Sequence, residues 1–292
     1  MSEMNREKPI IECLNLTKAY ENHFVFKDAN CKTGGGITGL VAPNGYGKTT
    51  FIEMCVGVRK NYAGNINILG KSPDYVKNSI GFVPDKPSYP ANIKVGDYIE
   101  LVNEIYGRKP DNNMIQLANI EKVMDLRIGE LSAGYLKRVS FLLAITHSPK
   151  IVFADELFSN VDKYAVSIML KMIMDLKNSG ISFIISSHDI SELASIADRV
   201  LIINENKFKE LYPRKLELRI IQISSENNEL LYELLKNYFE AEITDNGLIV
   251  KFDNLNKLLR LLSTFDKEIY SLKILDRRES FLDEINKAIT ED

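Results

Sequence analysis

The segment GLVAPNGYGKTT, residues 39–50, joins a short apolar run to a stretch with a helical pattern. The run Ile37–Val41 is predicted to form a buried strand, and Lys48–Val58 is predicted to form a helix. A glycine-rich loop that ends in Gly-Lys-Thr between a strand and a helix holds the phosphates of a nucleoside triphosphate. The sequence therefore predicts a P-loop at residues 42–49.

Four positions of this loop carry the predicted phosphate and metal contacts. Gly45 and Gly47 allow the backbone to turn its N–H groups inward around the phosphates. Lys48 brings a positive charge to the β- and γ-phosphates as a catalytic residue, and Thr49 offers its hydroxyl to Mg²⁺. The helix that starts here points its N-terminus at the anion. The other loop residues predicted to bind the nucleotide are Asn44, Tyr46 and Thr50.

One position departs from the G-x-x-x-x-G-K-[ST] pattern, because Ala42 stands in place of the first glycine. Either the loop tolerates a methyl group there, or the nucleotide site is degenerate. The first interpretation is favoured because Lys48, Thr49 and both later glycines are intact.

Composition narrows the class of protein. The chain has 292 residues, 45% of them hydrophobic, and a net charge of −3. Because the sequence has no excess of basic residues, no nucleic-acid partner is expected. Residues 1–9 do not resemble a signal peptide, and no apolar run reaches the roughly 18 residues of a membrane span. The chain is therefore expected not to cross a bilayer by itself, and its three scattered cysteines are expected to be reduced thiols.

Hydrophobic patterning divides the chain into segments of different character. Residues 9–36 contain short predicted strands, and residues 91–148 have the apolar spacing of an all-helical insert. Two continuous apolar runs, Ile151–Ala154 and Ile181–Ser186, then predict strands buried on both faces. The predicted fold is α/β, with a P-loop NTPase core, an antiparallel β subdomain, the helical insert and a small C-terminal α+β domain.

The predicted boundaries follow these changes in pattern. The nucleotide-binding domain is placed at residues 1–212, with its helical subdomain at about 87–148, and the accessory domain at 213–292. The accessory domain could regulate, dimerise or merely stabilise the protein. The favoured interpretation is a packed domain without a ligand of its own.

Two acids complete the predicted site. Asp155 and Glu156 directly follow the apolar run Ile151–Ala154. Ligands of parallel sheets bind beyond the carboxyl ends of the strands, so both acids are expected near the P-loop. Asp155 would reach the Mg²⁺ shell and Glu156 would polarise the attacking water. The alternative is a pair of solvated acids at a strand end.

Two further features are weaker when taken alone. Leu131–Tyr135 opens a predicted helix, with Ser132 as N-cap and Gly134 allowing close backbone approach to an anion. An ordinary helix cap would have the same sequence. His188 follows the strand Ile181–Ser186 and could hydrogen-bond a γ-phosphate or a catalytic water. A structural histidine is the alternative.

With these motifs in this order, the chain resembles the nucleotide-binding subunit of an ABC transporter over most of residues 8–210. The 23 residues from Ser132 to Asp155 are the usual interval in that family. The resemblance implies a catalytic role for Glu156 and His188. The matched positions are Tyr20 (adenine stacking), Ala42–Thr49 (Walker A), Asp85 (Q-loop), Leu131–Tyr135 (signature), Ile151–Glu156 (Walker B), Ser159–Asp162 (D-loop) and His188 (switch histidine).

Several matched positions depart from the family pattern. Asp85 replaces the Q-loop glutamine, so the implied Mg²⁺ contact is shorter and charged, and Tyr135 replaces the last residue of the signature. Leu157-Phe158 and Asn160-Val161 also differ from the usual residues. Together with Ala42, these departures leave the rate of hydrolysis undecided. Nucleotide binding is still expected.

The resemblance also implies a mechanism and partners. Two subunits, alike or different, close head to tail around two ATP molecules. Ser132 and Gly134 then meet a γ-phosphate held by Lys48 of the other copy, and Asp162 lies at the dimer contact. Closure would drive a separate integral-membrane subunit at the cytoplasmic face of the cell membrane.

The C-terminal unit makes the chain similar to bacterial ABC-2 exporters, whose cargoes include antimicrobial or toxic peptides, drugs and lipids. Two alternatives of another class remain. One is a nucleotide-sensing regulatory ABC protein with little hydrolysis, which Ala42 and Asp85 support. The other is a soluble ABC ATPase that acts on ribosomes or DNA, although this chain shows neither a second nucleotide domain nor long coiled coils.

Overall fold

The computed structural model describes residues 8–21, 23–187, 190–212, 219–252, 255–274 and 285–289. The chain divides into two compact units, residues 1–213 with 287–292, and residues 214–286. No helix in the described ranges is both long and apolar enough to span a membrane.

The first unit contains two sheets and the helices that pack on them. Its strands are β1 (Ile11–Tyr20), β2 (His23–Thr33), β3 (Ile37–Val41), β4 (Ala63–Ile68), β5 (Ile80–Val83), β6 (Ile151–Ala154), β7 (Ser182–Ser186), β8 (Arg199–Asn204) and β9 (Lys207–Leu211). Its helices are α1 (Lys48–Cys55), α2 (Val95–Ile105), α3 (Asn112–Leu117), α4 (Ala133–Ile145), α5 (Lys163–Asn178) and α6 (Ile190–Ile196).

The larger sheet has the strand order β5-β6-β7-β3-β8-β9, and its first five strands are parallel. Every residue of β3, β6 and β7 is buried, as expected for strands covered on both faces. Ala154 pairs with Val83 on one side and with Ile185 on the other. The carboxyl ends of β5, β6 and β7 therefore lie together at one edge.

The edge strand β9 was not identified from the sequence. It pairs antiparallel with β8 through a tight turn in which Glu205 and Asn206 have φ of 45° and 64°. Such left-handed pairs form the two-residue turns of hairpins.

The smaller sheet is antiparallel with the order β2-β1-β4, and it packs with α1 in one apolar core. Within this core Phe26 stacks on Phe208, and Phe51 packs at a tilt against both rings. The three cysteines are free, buried thiols, and Cys13 lies opposite Cys31 in the β1–β2 register.

Helix α1 ends at Cys55, three residues before the predicted end. Gly57 has a φ of 76°, its N–H bonds to the Met54 carbonyl, and the Val58 N–H bonds to the Glu53 carbonyl. These two bonds are those of a Schellman cap, which stops a helix at a left-handed glycine.

The second unit is an antiparallel sheet of order β11-β12-β10-β13 with a core of its own. The sequence Asp245-Asn246-Gly247 predicts a hairpin turn within Ala241–Phe252, and the β11–β12 pairing confirms it. The elements are β10 (Arg219–Ser225), α7 (Asn228–Leu235), β11 (Glu240–Thr244), β12 (Gly247–Phe252), α8 (Leu255–Leu262) and β13 (Ile269–Ile274).

Candidate functional site

A polar cavity of about 280 Å³ lies where the P-loop meets the carboxyl ends of β5 and β6. It brings together side chains that the sequence places more than a hundred residues apart. The lining residues are Pro43, Asn44, Gly45, Gly47, Lys48, Thr49, Thr50, Asp85 and Glu156.

Two glycines shape the loop that forms one wall of this cavity. Gly45 and Gly47 have φ of 83° and 102°, which residues with a side chain rarely adopt. A Cβ at Gly47 would also collide with Val25. Gly47 is the N-cap of α1 and makes no side-chain cap, so the helix start offers backbone N–H groups for an anion.

Lys48 is buried, with 8% of its surface exposed, and it contacts both sides of the cavity. Its Nζ donates to the Ala42 carbonyl at 3.0 Å and lies 3.7 Å from Glu156 Oε1. Ala42 thus contacts Lys48 through its main chain, while its side chain packs against the apolar core.

Asp155 is held at the end of β6 by two hydroxyl groups. Thr49 Oγ1 donates to its Oδ2 and Ser186 Oγ donates to its Oδ1, both at 2.6 Å. The hydroxyl of Thr49 and the carboxylate of Asp155 are hard oxygen ligands beside a phosphate-binding loop. Mg²⁺ commonly takes one or two such protein oxygens, completing its shell with phosphate and water, so this pair fits the metal.

Glu156 has an unusual backbone conformation for a buried residue. Its φ is 47°, in the left-handed region, and 7% of its surface is exposed. Its N–H donates to Ser186 Oγ at 2.8 Å, and Ser159 Oγ donates to its Oε2 at 2.9 Å. These contacts fix both the peptide and the carboxylate of Glu156.

Asp85 reaches the cavity from the end of β5 and is paired with a lysine that the sequence analysis did not identify. Its Oδ1 lies 3.9 Å from Nζ of Lys137, which belongs to α4 and is 5% exposed. Burial lowers the pKa of Lys137, while the charges of Asp85, Asp155 and Glu156 raise it. The sequence signal that could have identified Lys137 is a lysine within the apolar pattern of α4.

Tyr20 and Tyr46 lie outside the lining of this cavity. The Tyr20 hydroxyl is 3.4 Å from Thr50 Oγ1, so its ring adjoins the end of the P-loop. Its ring also lies near two cations, Lys18 at 4.6 Å and Arg59 at 5.4 Å. Tyr46 is 45% exposed.

The signature and D-loop residues form adjoining helix caps, also outside the lining of the cavity. Ser132 Oγ accepts the Tyr135 N–H at 3.4 Å as N-cap of α4. Asp162 accepts the Ala165 N–H at 2.9 Å as N-cap of α5. A Cβ at Gly134 would lie 3.2 Å from Asp162 Oδ2. His188 lies outside the described residues.

Comparison with known proteins agrees with this arrangement. The family model described as ABC transporter matches residues 29–159. An uncharacterised ABC transporter ATP-binding protein of Methanocaldococcus jannaschii is 30% identical over 254 residues, 84% of this chain and 86% of the relative. The chain belongs to the ABC transporter ATP-binding proteins. This ABC protein therefore binds and hydrolyses ATP, and subunits of its kind work with a separate transmembrane subunit.

Two further comparisons cover different parts of the ABC protein. The bacitracin transport ATP-binding protein BcrA of Bacillus licheniformis is 27% identical over 299 residues, 96% of this chain and 97% of the relative. A solved ATP-binding subunit of an ABC transporter superposes with a TM-score of 0.64 at 19% identity, covering 70% of this chain and 90% of that one. The second comparison supports the fold alone.

Proposed function

We propose that this ABC protein powers export through a separate integral-membrane subunit, by ATP-driven head-to-tail closure of two nucleotide-binding subunits. The ATP-driven step of the proposal is carried by the convergence of Lys48, Thr49, Asp155 and Glu156 beside the P-loop. The similarity to BcrA, a bacitracin transport protein, extends over nearly the whole chain and supports a bacitracin-like cargo.

Binding of ATP begins at the P-loop. The N–H groups of the loop and of the first turn of α1 surround the phosphates, and Lys48 turns toward the β- and γ-phosphates. Thr49 and Asp155 would hold Mg²⁺, and Asp85 lines the same cavity. A metal bound there would neutralise part of the phosphate charge.

Glu156 then acts as the general base. Its ion pair with Lys48 must open when Lys48 turns to the phosphates, which frees Oε1 to accept a proton from the attacking water. Ser159 and Ser186 keep the carboxylate and its peptide in place during this exchange. We assign His188 to the γ-phosphate on the basis of its sequence position.

Closure of two subunits completes the site. The N-terminus of α4, with Ser132 and the Gly134 N–H, contacts the γ-phosphate bound by the other copy, and Asp162 lies at the same contact. Tyr20 stacks on the adenine beside Thr50. The membrane subunit docks on residues 87–145 with Asp85, at the cytoplasmic face of the membrane.

Transport into membrane vesicles tests the proposed direction. Inside-out vesicles from cells that produce the chain would receive Mg-ATP outside and bacitracin as the probe. We expect ATP-dependent accumulation of the probe, and none with the Lys48→Ala variant. ATP-dependent loss of preloaded bacitracin from the same vesicles would contradict export. Nucleotide binding without any hydrolysis or transport would favour the sensor alternative.

A further inference from the structure

The buried lysine of α4 lies at a junction of the first unit that no motif marks. Lys137 is 5% exposed, in a helix whose buried residues are mostly apolar. A buried ammonium is costly unless its charge and its three donors find partners. The contacts of Lys137 therefore indicate its role in the structure.

Its partners are backbone carbonyls at the ends of two neighbouring strands. Lys137 Nζ donates to the Glu156 carbonyl at 3.0 Å, to the Pro84 carbonyl at 3.3 Å and to the Asp155 carbonyl at 3.5 Å. The Asp85 carboxylate supplies an opposite charge at 3.9 Å. One side chain thus ties α4 to the carboxyl ends of β5 and β6.

The closest of these carbonyls belongs to the residue with a left-handed backbone. A non-glycine residue keeps a φ such as the 47° of Glu156 only when its surroundings hold it there. Ser186 Oγ accepts the N–H of Glu156, and Lys137 donates to the carbonyl of Glu156. Hydrogen bonds therefore hold the peptide groups on both sides of the Glu156 Cα. This backbone conformation sets the direction in which the Glu156 side chain leaves the chain, and the bond from Ser159 then holds its carboxylate.

Charge gives Lys137 a second role during the reaction. Asp85, Asp155 and Glu156 place three carboxylates near two lysines, Lys48 and Lys137. When Lys48 turns to the phosphates, Lys137 stays beside the acids as a second cation.

We propose that Lys137 is a positioning residue for the general base: it fixes the backbone of Glu156 and keeps a positive charge beside Asp85 throughout the cycle. The inference rests on the proposed role of Glu156. Lys137 lies one helical turn from Gly134 in α4. A nucleotide contact at Gly134 would therefore be coupled to Glu156 through this helix.

The test compares Lys137→Met with a matched change at the next residue of α4. Arg138 is also a buried cation, 3% exposed, but it donates to the carbonyls of Gly134, Ala118 and Asn119, none of which is at the strand ends. Arg138→Met therefore reports on general damage to α4. Denaturant unfolding of both variants shows whether each is folded.

We expect Lys137→Met to lower kcat by about tenfold or more while KM for ATP changes by less than about threefold. Because closure does not need the base, Lys137→Met should accumulate an ATP-bound dimer on size-exclusion chromatography, as we also expect of Glu156→Gln. Arg138→Met should not accumulate it. Lys137→Gln, which keeps a donor for the carbonyl, should recover part of kcat.

The outcomes separate this inference from the proposed function. Normal turnover by Glu156→Gln would overturn the assignment of the base itself. If Glu156→Gln accumulates the dimer while Lys137→Met turns over like the wild type, the inference about Lys137 is wrong. It is equally wrong if Lys137→Met loses ATP affinity and dimer formation together, as expected for damage to α4.

Discussion

The two units of the chain bury polar groups very differently. In the first unit, charged and hydroxyl side chains are buried together at the ends of β6 and β7, among them Lys48, Asp155, Glu156 and Ser186. In the described part of the second unit, Ser225 is the buried polar side chain in an otherwise apolar core. Burying a polar group costs free energy unless it is paired. The concentration of such groups therefore supports the proposed nucleotide site.

Lys48→Ala should have the largest effect on the polar cluster. The variant removes the cation that we propose to bind the phosphates, together with its ion pair to Glu156. A charge-assisted hydrogen bond contributes about 1.5–3 kcal/mol, so ATP affinity should fall by about tenfold to a hundredfold, and phosphate release should be abolished. Calorimetry and a phosphate-release assay measure the two effects. Lys60→Ala removes an exposed lysine paired with Asp74 and should change neither.

Ser186→Ala should have an intermediate effect. The change leaves Asp155 Oδ1 without its donor and the Glu156 N–H without its acceptor, and Ser186 is fully buried. We expect a loss of about 2–6 kcal/mol in the free energy of unfolding, since each of the two unpaired buried groups costs about 1–3 kcal/mol. Turnover should fall by about tenfold because both acids lose their orientation.

Ser182→Ala is the matched control on the same strand. Ser182 Oγ accepts the Gly36 N–H at 3.2 Å, at the opposite end of β7 from the acids. It should cost about 1 kcal/mol of stability without a change in kcat. Equal losses of kcat in the two serine variants would mean that Ser186 acts only through stability.

Leu231→Ala should have the smallest effect on the nucleotide site. Leu231 is fully buried in the core of the second unit, so truncation should destabilise that unit by about 2–5 kcal/mol. ATP affinity and kcat should stay at the wild-type values, measured at a temperature where the variant is folded. A changed ATP affinity would show that the second unit acts on the site.

The parts of the site that could be predicted from sequence are those encoded locally. The P-loop and the acids after β6 are short runs whose spacing fixes their geometry. The supporting residues are not local, since Ser186 lies 30 residues from Glu156 and Lys137 lies 19 residues from it. Their roles arise only when strands and helices meet.

The same limit explains the missed strand. The segment of β9 contains only two apolar residues, Phe208 and Leu211, so its pattern is weak. Its place in the sheet depends on pairing with β8.

The nucleotide bound to Glu156→Gln tests the central claim most directly. The variant would be incubated with Mg-ATP, the dimer isolated by size-exclusion chromatography, and the bound nucleotide released and identified. Because the amide cannot take a proton from water, we predict a stable dimer that holds intact ATP, while the wild type under the same conditions releases phosphate and holds ADP. ADP in the Glu156→Gln dimer, formed at the wild-type rate, would contradict the assignment of Glu156 as the base.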